Sequence, residues 1–267
     1  MPPIATAPPE TPFHIDVRFG GGLSDAQQAA FETAAARWSQ IITADVPPVV
    51  IDGETIDDVR IDAEGASIDG PGKILGRAGP VDLRPGSFLP ATGVMSFDSA
   101  DLAQMEADGS LVSVIVHEMG HVLGFGTLFD RLGLIIGAGG ADPEFTGANA
   151  AREFADLLGA GDGPRPTSVP LANVGGAGTR DGHWREEVFA NELMTGFLDI
   201  GVNPISRVTI GAFEDLGYSV DYAHADAYRL PTATELLTLQ TVGARRGHVC
   251  EVQVPEQRVL PESALAG

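Results

Sequence analysis

One cysteine, Cys250, is present in the 267 residues, so no internal disulfide holds this fold. Positive charge is scarce as well. There are 16 Lys and Arg against 37 Asp and Glu, a formal net charge of -21 and a pI near 4.4. That balance argues against a nucleic-acid partner, because phosphate binding needs clustered Lys and Arg. It argues equally against docking on an anionic membrane surface, and we read it as a solubility feature. No apolar run is long enough to be a membrane span. Short-period repeats and low-complexity tracts are missing. The opening residues, MPPIATAPPETP, have neither a basic n-region nor an apolar h-region, so no signal peptide is expected in them.

What is there suits a globular chain of one large domain or two subdomains, with 43% hydrophobic and 20% charged residues. Residues 1–12 are Pro-rich and expected to be extended. Phe13, Ile15, Val17 and Phe19 alternate with polar residues, as in a strand with one buried face. Ser24 and Gln27 form a capping box ahead of a helix carrying Phe31, Ala34, Trp38 and Ile41, which is expected to end near Thr43. Val49–Ile51, Val59–Ile61, Ile74–Ala78 and Val94–Phe97 are further strand candidates. Residues 13–125 therefore read as an α+β subdomain with a mixed twisted sheet and two main helices. Residues 126–230 read as a smaller, mostly irregular and helical subdomain. It contains helices at Ala148–Leu158 and Ser206–Leu216, the latter stopped by Gly217. Residues 231–267 read as a tail with one helical turn at Glu235–Gln240.

The most informative stretch is LVSVIVHEMGHVLGFG, residues 111–126. It is apolar nearly all round, so its helix is expected to be buried. Asp108 or Ser110 can cap its start, and Gly124 and Gly126 can end it. Within it, His117 and His121 are four apart and leave one helical face. Their ring nitrogens can converge on one zinc ion at about 2.0–2.1 Å. Glu118 stands beside them as the candidate general base toward a metal-acidified water. Two histidines and a glutamate in such a helix are costly unless something satisfies them, and a metal satisfies all three.

A catalytic zinc takes three protein ligands and keeps one position open. The compact pattern HExxHxxGxxH has its glycine here, Gly124, but Thr127 stands where its third histidine would be. Two candidates remain for the third ligand. One is His183 in GTRDGHW, followed shortly by Met194 in NELMTG. The other is Glu153 in ANAAREFADLL, on a later helix.

The set HEMGHVLGFG, GTRDGHW and NELMTG resembles the leishmanolysin family of metzincin peptidases, in which an insertion separates the histidine helix from the third histidine. SRVTIGAFEDLGYSVDY is similar to the helix that follows the methionine turn in that family. The resemblance spans roughly residues 13–230. It implies a zincin/metzincin-like fold, a single catalytic Zn2+ held by His117, His121 and His183, and Met194 packed beneath the metal. It further implies protein or peptide substrates and a secreted, extracellular setting. Better-known members are rich in disulfides, and this chain departs from them there. Some metzincins carry a tyrosine two residues beyond the turn methionine; that position is Gly196, so no such ligand is assigned. Two other classes stay open on sequence alone: a binding or adhesion module with a retired site, and a zinc hydrolase of a non-peptide amide. An intact Glu118 speaks against the first.

Other features are weighed more blandly. Substrate backbone is expected to add to a sheet edge, with Ile74–Ala78 as the candidate. Asp52, Asp57, Asp58, Asp62, Glu64 and Asp69 form an acidic cluster without EF-hand spacing, read as a solvated face in preference to a Ca2+ site. His14 is expected to be exposed, His224 to lie at a solvated helix end, and Trp184 to pack beside the metal loop. Cys250 as a thiolate switch on the metal is a remote alternative.

Overall fold

The computed structural model describes residues 13–68, 76–161, 163–176, 178–198, 201–241, 248–249 and 254–266. The Pro-rich start, Asp69, residues 74 and 75 of one expected strand, and Cys250 lie outside the described residues.

Strand β1 (Ile15–Gly21) leads through a glycine turn into helix α1 (Asp25–Ile41). The capping box forms as expected: the Ser24 side chain accepts from the Gln27 N–H, and the Gln27 side chain accepts from the Ser24 N–H. Phe31, Ala34, Trp38 and Ile41 are all buried on one face. Strands β2 (Val49–Ile51) and β3 (Glu54–Ile56) then make a short hairpin. Its turn is Asp52–Gly53, both at positive φ, the geometry that Asp-Gly favours in tight hairpins.

Three longer strands complete the main sheet: β4 (Val59–Ala66), β5 (Gly76–Leu83) and β6 (Pro90–Asp98). Strand β4 runs parallel to β1 and to β6, and β5 runs antiparallel to β6. Along β4, Val59, Ile61 and Ala63 are buried while Asp62 and Glu64 face out. That period of two places one apolar face under the helices. Asp58 breaks the expected acidic surface. It is buried, and its carboxylate accepts the backbone N–H of His14 and of Val46.

Helix α2 (Ser99–Asp108) was not expected, since only Leu102 and Met105 mark its apolar side. Asp108 closes this helix and accepts from the N–H and hydroxyl of Ser110; it does not cap the next one. Helix α3 (Leu111–Val122) follows, with Ser110 at its N-cap position making no side-chain cap bond. It packs on α1 and on strands β5 and β6.

The second half is built of short elements. Strands β7 (Ile135–Ile136), β8 (Glu144–Phe145) and β9 (Val169–Pro170) form a small sheet, with helix α4 (Ala148–Leu157) between the last two. Helix α5 (Glu186–Phe189) precedes strand β10 (Phe197–Leu198), and helix α6 (Arg207–Leu216) is capped by Ser206 and ended by Gly217. Helix α7 (Ala233–Thr241) is longer than the single turn expected, and strand β11 (His248–Val249) pairs antiparallel with β10. Strand β12 (Arg258–Val259) corrects the reading of the last residues as a tail. It joins the main sheet beside β5, giving the order β1-β4-β6-β5-β12. Leu260 and Ala264 are buried with Val49, Ile51, Ile56 and Ala91. For the same reason β5 is not an open edge along its second half.

Arg84 is the largest polar group in the core, fully buried at the end of β5. Among the described residues no carboxylate pairs with it directly. Its guanidinium donates to the carbonyls of Pro47 (2.6 Å), Asp57 (2.8 Å), Asp58 (2.5 Å) and Pro90. Burial lowers its pKa. The planar fork gathers four carbonyls from three chain segments, which no apolar residue can satisfy. Replacing Arg84 by Met leaves those carbonyls without donors in an apolar site, which we expect to cost roughly 3 kcal/mol in urea unfolding, with Arg84→Lys recovering less than half.

Candidate metal centre

The twelve residues of α3 bury both histidines and Glu118. The residue between the two histidine turns explains part of the packing. A Cβ on Gly120 would lie 3.1 Å from Met194 Sδ, from Met194 Cε and from Trp38 Cζ2. The glycine in HEMGH therefore lets Met194 and Trp38 close on the helix from two sides. Trp38 also donates its indole N–H to the Val116 carbonyl at 2.9 Å.

Helix α3 ends at the turn expected from its glycines. Gly124 has φ of 116° and its Cβ position is blocked by Leu128, so only glycine fits there. The turn carries the Phe125 carbonyl back to the helix end, where it accepts from His121 Nδ1 at 2.8 Å. Gly126, also at positive φ, lies against the Gly182 backbone; a Cβ there would sit 2.3 Å from the Gly182 oxygen. That contact brings the residue 182–183 loop against the end of α3 and delivers His183 beside His121.

His117, His121 and His183 are all buried and form the candidate metal cluster among the described residues. Their Nε2 atoms are 3.1 Å (His117–His121), 3.2 Å (His117–His183) and 3.0 Å (His121–His183) apart. Each Nδ1 faces a backbone carbonyl: Leu193 at 2.6 Å for His117, Phe125 for His121, and Thr179 at 3.0 Å for His183. These carbonyls assign the proton to Nδ1 on every ring and leave Nε2 as a lone pair. Burial, reinforced by the neighbouring His121, pushes the His117 pKa down to about 3. Burial alone pushes His121 to about 4, and burial with the other two rings lowers His183 well below the usual value. Three neutral rings thus aim three acceptors at one point. No hydrogen bond can form between acceptors, so a cation is what fits the centre. A tetrahedral zinc with bonds of ~2.0–2.1 Å wants nitrogens roughly 3.3 Å apart, close to the spacing present.

The other candidate ligand goes elsewhere. Glu153 on α4 is buried, but its carboxylate receives Arg207 Nε at 2.6 Å and Arg152 Nε at 3.2 Å. Two arginines consume it, and it does not join the histidines. Trp184 is fully buried and stacks among Phe125, Phe145 and Phe189, as expected for packing beside the loop. His224 is partly exposed near Asp221, and His14 is exposed.

One group at the site had no sequence signal. Glu192 is fully buried in the turn before Met194. Its carboxylate accepts from the Met194 N–H (2.6 Å), the Ser206 N–H (2.9 Å), the Ser206 hydroxyl (2.8 Å) and the Thr209 hydroxyl (2.5 Å). Thr209 in turn accepts from the Trp184 indole. Four donors satisfy a carboxylate that burial would otherwise neutralise, and burial still raises its pKa. The next residue, Leu193, is the carbonyl that orients His117. Glu192 therefore ties the methionine turn to α6 beside the carbonyl that holds the His117 ring. Beside His121 opens a cavity of about 360 Å³ lined by Thr127, Asp130, Arg180, Asp181 and Val254, among others.

The leishmanolysin family model matches residues 86–235. A leishmanolysin homolog of Crithidia fasciculata is 30% identical over 148 residues, covering 52% of this chain and 22% of that protein. Leishmanolysin of Leishmania donovani is 30% identical over 145 residues, covering 51% of this chain and 24% of that protein. The matched stretch is thus under a quarter of each relative's length.

Substitutions at two positions test the packing around the rings. Glu192→Ala strands four buried donors and is expected to lower stability by roughly 3 kcal/mol, whereas Glu192→Gln keeps acceptors on the oxygen and is expected to cost about 1 kcal/mol. Gly120→Val drives methyl groups into Met194 and Trp38 and is expected to cost roughly 2–3 kcal/mol despite the better helix propensity. Chemical denaturation of each variant, monitored by tryptophan fluorescence, reads both.

Proposed function

Since the chain belongs to the leishmanolysin family, we propose that it is a zinc-dependent endopeptidase with His117, His121 and His183 as the ligands and Glu118 as the general base. The observation that carries the reading is the meeting of three Nε2 lone pairs within 3.2 Å, each ring locked by a carbonyl behind it. Met194, packed under α3 at Gly120, is the proposed floor of the centre. Gly124 is the proposed helix stop that keeps His121 in place. We further propose a zincin-like division, with the sheet and α1–α3 on one side and the His183 loop and methionine turn on the other.

Zinc bound there would supply a water acidified to a pKa of about 7 and a Lewis acid for the scissile carbonyl. The rest of the chemistry belongs to the chain. The three imidazoles stay neutral and donate from Nε2 because their Nδ1–H groups are committed to backbone carbonyls. Glu118, on the same buried helix, takes a proton from the attacking water and passes it to the leaving amine. The cavity beside His121 offers room for a substrate side chain. No described helix is long and apolar enough to cross a membrane. An extracellular site of action is proposed on family membership.

Casein digestion tests the reading. The intact protein is expected to cleave it, a zinc chelator to stop the cleavage, and added zinc to restore it. Glu118→Gln is expected to lower turnover by about 100- to 10,000-fold while the protein keeps its metal. His183→Ala is expected to lose the metal, and Glu153→Ala to keep it. Undiminished turnover in Glu118→Gln, or metal loss in Glu153→Ala alone, contradicts the assignment.

A further inference from the structure

We propose that the chain's own segment 254–260, seated on the outer side of β5, occupies the sheet edge to which an extended substrate would add and competes with that substrate. This rests on the peptidase reading above.

Strand β12 pairs parallel with β5, Arg258 opposite Asp82 and Val259 opposite Leu83. The Leu260 N–H donates to the Leu83 carbonyl at 2.9 Å. The seat is shaped for this segment. A Cβ on Gly79 would lie 2.7 Å from Pro255 Cδ and 3.2 Å from Val254 Cγ1, so the close approach depends on a glycine in the strand. Asp82, buried and held by the Thr92 hydroxyl at 2.7 Å, receives Arg258 Nε at 2.8 Å and Nη2 at 2.7 Å.

The same segment reaches the metal centre. Val254 lines the cavity that His121 also lines. Gln257 donates from Nε2 to the Thr127 carbonyl at 3.3 Å, and the Thr127 hydroxyl donates to the His121 carbonyl at 2.8 Å. Strand β5 itself packs on α3. A peptide adding to this sheet beside the active helix must use the N–H and C=O groups that 254–260 now faces.

The attachment is uneven in a way that suits release. Leu260 and Ala264 are buried, and the Ala266 N–H donates to the Pro48 carbonyl, so that end is anchored. Val254, Glu256 and Arg258 are exposed, and the Arg258 side chain is 66% exposed in its ion pair. Its partner Asp82 is buried, so this pair and the Gln257 contact are what hold the loose half to the strand. The tether presents the segment at an effective concentration on the order of millimolar. A substrate with a better fit displaces the loose half without unfolding the anchored half.

The experiment loosens the segment on its own side. Gln257→Ala with Arg258→Glu removes the Thr127 contact and sets a carboxylate against Asp82. In a Glu118→Gln background, binding of a fluorescent casein-derived peptide is followed by anisotropy. We expect binding about tenfold tighter than in the same background without the two changes. In the chain that keeps Glu118, we expect KM to fall by a similar factor with kcat unchanged. A synthetic peptide of residues 254–266 should then inhibit competitively. Equal binding and equal KM in the two chains overturn the proposal, as does a synthetic peptide that fails to compete. Tighter binding in a chain that cleaves nothing supports the docking edge and removes the peptidase reading instead.

Discussion

Three lone pairs pointed at one another are the constraint on which this structure turns. Each ring of His117, His121 and His183 gives its Nδ1 proton to a backbone carbonyl, so each presents an acceptor to the other two at 3.0–3.2 Å. Neutral acceptors at that spacing repel, and burial prevents protonation from relieving them. A divalent cation held there would turn the repulsion into three bonds. The surrounding fold is organised to keep the rings from escaping.

The three orienting carbonyls come from three different devices. The Phe125 carbonyl is returned by a turn that only glycine at 124 allows. The Thr179 carbonyl belongs to a loop pressed against the end of α3 where Gly126 meets Gly182. The Leu193 carbonyl sits in a turn staked by the buried Glu192 carboxylate. Packing then fills the floor, where Met194 and Trp38 converge on Gly120. Sequence separation and spatial function are thus decoupled. His183 is far along the chain from His121, yet their nitrogens are as close as those of the two histidines one turn apart.

Much of this was legible in the residues. His117 and His121 were readable because a helix has a fixed period, and Gly124 because a helix end needs a residue at positive φ. The capping box at Ser24 and the stop at Gly217 were readable for the same local reason. The resemblance, not spacing, pointed to His183 over Glu153. The structure brings His183 to the other rings and pairs Glu153 with Arg152 and Arg207. Three things were not legible. The orienting groups are carbonyls, which every residue has. Glu192 and Arg84 act through long-range partners that leave no periodicity. Strand β12 is two residues long, and only its pairing partner β5 gives it meaning. Its pairing covers Asp82 and Leu83 of β5, beyond the edge expected at Ile74–Ala78.

Coordination of one ion by three rings is measured directly by X-ray absorption at the zinc edge. The purified, zinc-loaded protein is expected to hold one zinc per chain with three imidazole nitrogens at about 2.0–2.1 Å and one lighter oxygen scatterer. A protein that takes up no transition metal would contradict it. So would a bound zinc whose shell contains fewer than three imidazoles.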